Sequence, residues 1–455
     1  MKGLSLQKGN IFLIAACVII CCYYSFQLNP ATSPFINYNS ALFAITVAAI
    51  LFLFIPNTDR RFFFAVWVLF AAITIILLQS RTALLSFGAG YLLFFTRKRS
   101  YNVKPLLFLF ALLASSFLVL SYYKFESTEG RWFIWKNCMA VLSNNWLQGV
   151  GWGKFRFAYN EQQANWFRQH GFDNKETMLA DNVYYAFNEW IQLAIEIGVP
   201  LTICILLAIV YTFLKAHKNS RDSDSLPEKR IVAAFGALFI ATLFSYPFFY
   251  LPSLLLFGCL YAWVFKLANF QSWAVVPKMV KTILVCILVL LIGFIFYQQY
   301  SARTKWKEAV ELQQVGYKRA ALSSMLSGYS ILKDNGDFLF AMGNAYQSVN
   351  QIDSALYYYK QSVTFKNDYE LHRQIGQLYH ENGLDSLAEN HLLKAVYIVP
   401  NRFKSREMLV DFYVSTRSVN KAKFWANETL RLKEKVPSAV TKQVKEKMEK
   451  IIREY

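Results

Sequence analysis

Apolar residues form long, nearly uninterrupted runs over the first 298 positions and thin out to a helical spacing after them. A helix needs about 20 mostly apolar residues to cross a bilayer. Nine runs approach that length: 11–27, 41–55, 62–78, 83–95, 105–120, 185–214, 231–248, 252–267 and 280–296. The second and fourth are the shortest. The sixth is long enough for its first turns to project beyond the hydrocarbon. One polar stretch, 121–184, separates the fifth run from the sixth, and an intervening loop of such length tends to carry function.

Lys and Arg fall on alternate sides of these runs. Lys2 and Lys8 precede the first, Arg60 and Arg61 follow the second, and Arg97, Lys98, Arg99 and Lys104 follow the fourth. Lys215, Lys218, Arg221, Lys229 and Arg230 follow the sixth, and Lys266, Lys278 and Lys281 bracket the turn before the ninth. The opposite loops 29–40 and 245–253 contain no charge. Basic loops stay in the cytoplasm. The pattern therefore predicts nine spans, with loop 121–184 and everything after residue 298 outside. The first run lacks a small-residue cleavage site and reads as a retained helix rather than a secretory signal.

Beyond residue 298 the pattern repeats. Met342-Gly343, Tyr346 and Ala355 return 33 residues later as Ile375-Gly376, Tyr379 and Ala388, and Tyr413 and Ala422 follow after 34 more. Tyr359, Ala395 and Pro400 keep the same register, and a degenerate copy opens near Trp306 with Ala321. Over 306–433 this period resembles tetratricopeptide repeats, in which small residues let paired helices approach. The expected fold is all-α. Residues 1–298 form a polytopic membrane bundle, and residues 299–455 form a soluble, extracytoplasmic α-solenoid. A stack of this kind is either a spacer or dimerisation surface, or a dock for a peptide, a protein acceptor or an assembly partner.

Composition agrees with a membrane protein. Hydrophobic residues make up 55% and charged residues 17% of the 455 positions, against roughly 25% charge in soluble domains. The net charge of +19 sits in the short basic loops, so it speaks for anionic lipid rather than nucleic acid. Cys17, Cys21, Cys22, Cys204, Cys259 and Cys286 lie in apolar runs and Cys138 stands alone in the loop. That spacing suggests neither a zinc site nor a disulfide framework.

The candidate chemistry lies around the loop. Gln79-Ser80-Arg81 closes the third run, and Arg131-Trp132-Phe133-Ile134-Trp135 lies in the loop. Trp146-Leu147-Gln148-Gly149-Val150-Gly151-Trp152-Gly153-Lys154-Phe155 follows, then Asp181-Asn182, Asn188-Glu189-Trp190-Ile191-Gln192 and Glu196-Ile197-Gly198. In this order, across roughly 41–267, these pieces resemble the O-antigen ligase family, which includes O-antigen ligases, O-antigen polymerases and protein O-oligosaccharyltransferases. The resemblance implies glycan transfer from a polyprenyl-diphosphate carrier to a glycan or protein acceptor, at a bacterial cytoplasmic membrane. It implies no nucleotide sugar, no metal and no other cofactor.

Such a transfer needs its diphosphate leaving group neutralised. Arginine suits the task because its planar fork gives two charge-assisted hydrogen bonds. Arg81 and Arg131 match the family's diphosphate-binding arginines. The alternatives are an interfacial anchor for Arg81 and an ordinary loop cation for Arg131. Lys154, Arg156 and Arg168 read as further loop cations that offset the loop's acids. The alternating glycines are not a nucleotide motif; they allow a tight re-entrant turn, whose backbone N–H groups could meet a phosphate.

The sequence departs from the family in two ways. The residue before Asn188 is Phe187, where family ligases carry histidine, and phenylalanine cannot exchange a proton. Only five runs precede the loop, fewer than the family usually has. The candidate catalytic groups are then Glu189, beside the missing histidine, and Asp181, with Glu196 and His170 after them. A second reading keeps the chain as a non-catalytic scaffold for surface-polysaccharide assembly through its repeats. A flippase is disfavoured because charges within the runs are scarce and no halves are duplicated.

Overall fold

The computed structural model describes residues 40–55, 80–95, 125–172, 175–223, 225–270, 278–435 and 437–455, with residue 122 and scattered positions between 66 and 77. The runs 11–27 and 105–120 lie outside the described residues. All secondary structure among the described residues is helical. In chain order the first helices are α1 (Ser40–Leu53), α2 (Arg81–Phe95), α3 (Phe125–Asn145), α4 (Phe155–His170), the single turn α5 (Glu176–Leu179), α6 (Glu189–Ile197), α7 (Val199–Ser223), α8 (Leu226–Thr242), α9 (Leu251–Leu267) and α10 (Lys278–Gln314). They are followed by α11 (Lys318–Leu332), α12 (Gly336–Ser348), α13 (Ile352–Val363), α14 (Tyr369–Glu381), α15 (Asp385–Ile398), α16 (Phe403–Ser415), α17 (Val419–Arg431) and α18 (Ala439–Glu454). The chain forms two compact units. One comprises Met1–Thr128, Ala186–Ala194 and Val199–Leu288; the other comprises Glu129–Tyr185, Ile195–Gly198 and Val289–Tyr455.

In the first unit α8 packs against α1, α2 and α9. Small residues permit this: Ala44, Ala48 and Ala49 on α1, Ala83 on α2, and Ala233, Ala234 and Ala237 on α8 are all buried. Gly90 is one of the tight points. A Cβ there would come within 2.5 Å of the Phe52 ring and 2.9 Å of the Ala233 carbonyl. Lipid tails are as apolar as leucine, so helices in a bilayer associate through close contact of this kind and through hydrogen bonds across helices. The hydroxyls of Thr46 and Ser253 supply one such bond between α1 and α9, at 2.6 Å.

Among the described residues α7 is the one helix long and apolar enough to cross a membrane, and α1 and α9 are shorter apolar helices. Leu201, Ile203, Leu207, Tyr211 and Leu214 of α7 are exposed, so its outer surface is apolar. The sixth run, read above as one element, is two helices. Gly198 at φ +89° breaks it between α6 and α7. The expected boundary at residue 298 falls inside α10, which runs unbroken to Gln314.

The second unit contains the repeats. Helices α12/α13, α14/α15 and α16/α17 form successive hairpins. The repeating alanines Ala321, Ala355, Ala388 and Ala422 are each 0% exposed, as the 33–34-residue period predicts for positions where helices meet. Gly343 lies under the Tyr359 ring, and a Cβ on Gly376 would stand 2.8 Å from Leu392. Asn335 and Asp368, also 33 apart, cap α12 and α14 by accepting from the N–H groups of Phe338 and Leu371 at 2.9 Å each. A capped start satisfies N–H groups that the first helical turn leaves unpaired.

Candidate functional site

In the first unit Ser80 and Arg81 open α2 rather than close the helix before it. Ser80 Oγ accepts from the N–H of Ala83 at 3.3 Å, an N-cap contact, and Arg81 is the first helical residue. The half-buried Arg81 guanidinium donates to Thr128 Oγ1 at 2.6 Å and Ser127 Oγ at 3.3 Å, at the start of α3. Both acceptors are neutral, and no carboxylate among the described residues lies within ion-pair distance of Arg81. Arg131, which belongs to the second unit, is half-buried in α3.

The Asn188-Glu189-Trp190-Ile191-Gln192 segment is a helix start in which each polar group has a partner. Asn188 Oδ1 accepts from the N–H groups of Trp190 at 2.9 Å and Ile191 at 3.0 Å, and its Nδ2 donates to the Leu243 carbonyl at 2.9 Å. Trp190 Nε1 donates to Thr242 at 2.8 Å. Gln192 Oε1 accepts from the Ala186 N–H at 3.1 Å. Glu189 is buried, and its Oε1 accepts from the Phe248 N–H at 2.6 Å. Phe187 stands at φ +54° with its ring edge-on to Tyr246. The segment thus ties the start of α6 to the turn at 243–250. Glu189→Gln keeps the acceptor for Phe248 and is expected to melt within about 1 kcal/mol of the parent, whereas Glu189→Ala orphans a buried donor and costs about 1–3 kcal/mol. Thermal denaturation of the solubilised chain reads both.

In the second unit the glycine run and Glu196 form one piece. Gly149, Gly151 and Gly153 have φ of +71°, +104° and +73°. The N–H groups of Val150 and Gly151 reach the carbonyls of Ile195 and Glu196 at 2.8 and 3.0 Å, and the Gly153 N–H reaches Glu196 Oε2 at 3.1 Å. The tight turn is present, but these donors hold the end of α6 and are not available to phosphate, contrary to the expectation above. A Cβ on Gly149 would collide with the Glu196 carbonyl, which is why glycine stands there.

The remaining loop residues lie on the repeats. Asp181 Oδ1 accepts from Arg402 at 2.8 Å and from the Asn182 N–H at 2.9 Å. Arg156, read above as a charge-balancing loop cation, is buried in a four-charge cluster. It donates to Asp337 at 3.0 Å and Asp368 at 3.1 Å, and Lys366 reaches the same two acids at 3.1 and 3.3 Å. Its guanidinium also covers the Tyr184 ring at 3.8 Å. Asn401 Nδ2 donates to the carbonyls of Thr177 and Ala180 at 2.9 and 2.7 Å, and Gln163 Nε2 donates to the carbonyls of Ile398 and Asp181 at 2.5 and 3.0 Å. Phe172 stacks on Tyr397. The loop's first partner is therefore the repeat surface of its own chain.

A histidine pair adjoins this contact, with His372 buried and His391 half-buried. His372 Nε2 meets Asn367 Oδ1 at 2.8 Å, and His372 Nδ1 meets His391 Nδ1 at 2.8 Å. An amide oxygen only accepts, so His372 carries its proton on Nε2 and His391 donates from Nδ1. Asn367 Nδ2 in turn donates to the Phe157 carbonyl at 3.0 Å and Glu161 at 3.2 Å, both on α4. Burial drives His372 well below the usual range for an imidazole and lowers His391 to about 4, with Lys394 adding to both. Below about pH 6.5 the unfolded chain binds protons that the folded chain refuses, so stability falls with falling pH between 6.5 and 4. A melt at pH 5 is expected to lose on the order of 2 kcal/mol through His391 relative to pH 7, and His391→Gln is expected to flatten that slope.

Among the described residues no group of three or more His, Cys, Asp or Glu could hold a metal ion. The sequence model of the O-antigen ligase family matches residues 64–206, which contain Arg81, Arg131, Asp181, Glu189 and the glycine run. No curated protein matches the chain significantly. One solved structure, titled "Crystal structure of MamA", covers 34% of this chain and 82% of its own at 12% identity and a TM-score of 0.27, a likeness too slight to define a shared fold.

Proposed function

We propose, from the O-antigen ligase domain that residues 64–206 carry, that the protein moves a glycan from a polyprenyl-diphosphate carrier to a glycan or protein acceptor. The transfer takes place at the outer face of a bacterial cytoplasmic membrane. The carrier diphosphate is bound by Arg81 and Arg131. The observation that carries this reading is the state of Arg81. It is half-buried, held in place by two hydroxyls, and not neutralised by a carboxylate among the described residues. A cation fixed in this way stabilises charge as it develops on a leaving diphosphate without reorganising. No residue has to supply the reaction's energy, because the sugar–diphosphate bond carries it.

In this proposal residues 1–298 cross the bilayer nine times. Loop 121–184 and the tetratricopeptide-like residues 299–455 lie outside. The exposed apolar surface of α7 and the small-residue packing of α1, α2 and α8 support the bilayer environment. Glu189 is the first candidate base and Asp181 the second. Glu189→Gln tests the first, since it keeps an acceptor for the Phe248 N–H while removing the charge and the ability to take a proton. Loss of transfer with an unchanged melt supports the base role, and an unchanged rate removes it. Asp181 is already paired to Arg402, which favours a positioning role over proton transfer.

The experiment that tests the whole reading is deletion followed by profiling of lipopolysaccharide, surface polysaccharide and glycoproteins, with complementation by the parent chain and by Arg131→Ala. The parent is expected to restore a missing glycan and Arg131→Ala to fail at normal protein level. Full restoration by Arg131→Ala overturns the diphosphate site. A second reading, a scaffold that organises surface-polysaccharide assembly without catalysis, is favoured by Phe187 and by the fully occupied helix start at Asn188. Under it, deletion disturbs glycan assembly and every site variant complements.

A further inference from the structure

The helix α3 is apolar on two sides. One side, with Phe133, Asn137, Cys138 and Val141, is buried. Phe133 packs edge-on against Trp166 of α4 at 5.3 Å between ring centres. The other side carries Trp132, Trp135, Met139, Leu142 and Trp146, separated by three, four, three and four residues. That spacing draws one stripe along a helix, here about 21 Å long. Trp132 is 72% exposed, Trp146 55% and Met139 48%, and the exposed Lys136 borders the stripe beside Trp132 and Met139, its long stem leaving the ammonium free to reach the headgroups. Just past the helix end, Leu147 and Trp152 are exposed as well.

We propose that α3 lies flat in the outer headgroup layer of the bilayer, with this stripe turned toward the acyl chains. The occupant of the stripe is lipid rather than a second copy of the chain, for two reasons. Three of its five residues are tryptophan, whose ring is apolar and whose N–H seeks a polar partner; that combination suits the membrane–water boundary and is found enriched there. The stripe also begins shortly after the apolar run 105–120, and exposed Tyr122 and Phe125 lie between the two. A helix that follows directly on a membrane span starts at the membrane surface. The inference rests on the bilayer topology proposed above. It adds a lipid-contacting face to a loop whose other face grips α4.

The test places a photoreactive residue in the full chain, reconstituted in vesicles of phosphatidylethanolamine and phosphatidylglycerol. Met139→p-benzoylphenylalanine probes the stripe, and the same residue at Trp132 serves if the first chain does not fold. Leu207, on the exposed apolar surface of α7, is the bilayer control, and Val440, exposed on the repeats, is the solvent control. Lipid adducts are expected at Met139 and Leu207 in similar yield, with Val440 at background. Adducts at Leu207 but not at Met139, or a cross-linked dimer from Met139, overturn the proposal. Absence of lipid adducts at Leu207 overturns the bilayer topology itself, and with it this inference.

Discussion

Arg81→Ala is expected to leave the protein abundant and inserted while lowering glycan transfer by about 10²–10³-fold, the usual effect of removing one preorganised charge-stabilising donor. The expectation follows from where the side chain sits. Ser80 caps α2, so Arg81 is fixed at the first helical position, and its two terminal nitrogens are held by Thr128 and Ser127. Hydroxyl partners orient a guanidinium but leave its charge intact. Arg81→Lys keeps a charge and loses the planar fork, so an intermediate rate is expected. Transfer assayed in membranes with a lipid-linked donor, alongside protein level and thermal stability, separates loss of chemistry from loss of fold. Parent-like transfer by both variants is incompatible with Arg81 binding the carrier.

The largest stability effect is expected at Arg156. Its removal leaves Asp368, only 1% exposed, with Lys366 as its remaining close cation. Breaking a buried pair costs about 3–5 kcal/mol. Asp337 is 39% exposed, and water screens that part of the cluster, so Arg156→Ala is expected near about 3 kcal/mol. The same change should open residues 129–185 to protease. Asp368→Asn preserves the cap on α14, whereas Asp368→Ala removes cap and charge together and should cost about 1 kcal/mol more. Burial by itself would raise Asp337, but Arg156 and Lys366 outweigh it and hold the carboxyl below its ordinary value. A carboxylate depressed in the folded state contributes stability above its unfolded pKa. That contribution fades as pH falls below about 4. Arg156 and Lys366 are raised by the same cluster, and their contribution is constant through neutral pH.

What the sequence made legible is local. A period of 33–34 residues with alanine at a fixed place predicts buried helix contacts, and Ala321, Ala355, Ala388 and Ala422 are fully buried. Alternating glycines predict left-handed backbone, and all three have positive φ. What it hid is non-local. Arg156 and Asp337 are 181 positions apart, and no single sequence marks two such residues as partners. The Gly149–Gly153 run and the Glu196-Ile197-Gly198 segment read as separate motifs, yet each is shaped to fit the other. A Cβ on Gly149 meets the Glu196 backbone, and a Cβ on Gly198 meets the Leu147 carbonyl. The sixth apolar run read as one helix because hydropathy does not register one left-handed glycine.

Phe187 occupies a backbone conformation that bulky side chains adopt reluctantly, at a cost on the order of 1–2 kcal/mol. Histidine, with asparagine and aspartate, enters that region more readily. The backbone just ahead of Asn188 is thus one that histidine adopts more readily than phenylalanine, and Phe187→His is expected to ease main-chain tension there. That makes position 187 the natural place to ask whether this scaffold's chemistry can be redirected by one exchange.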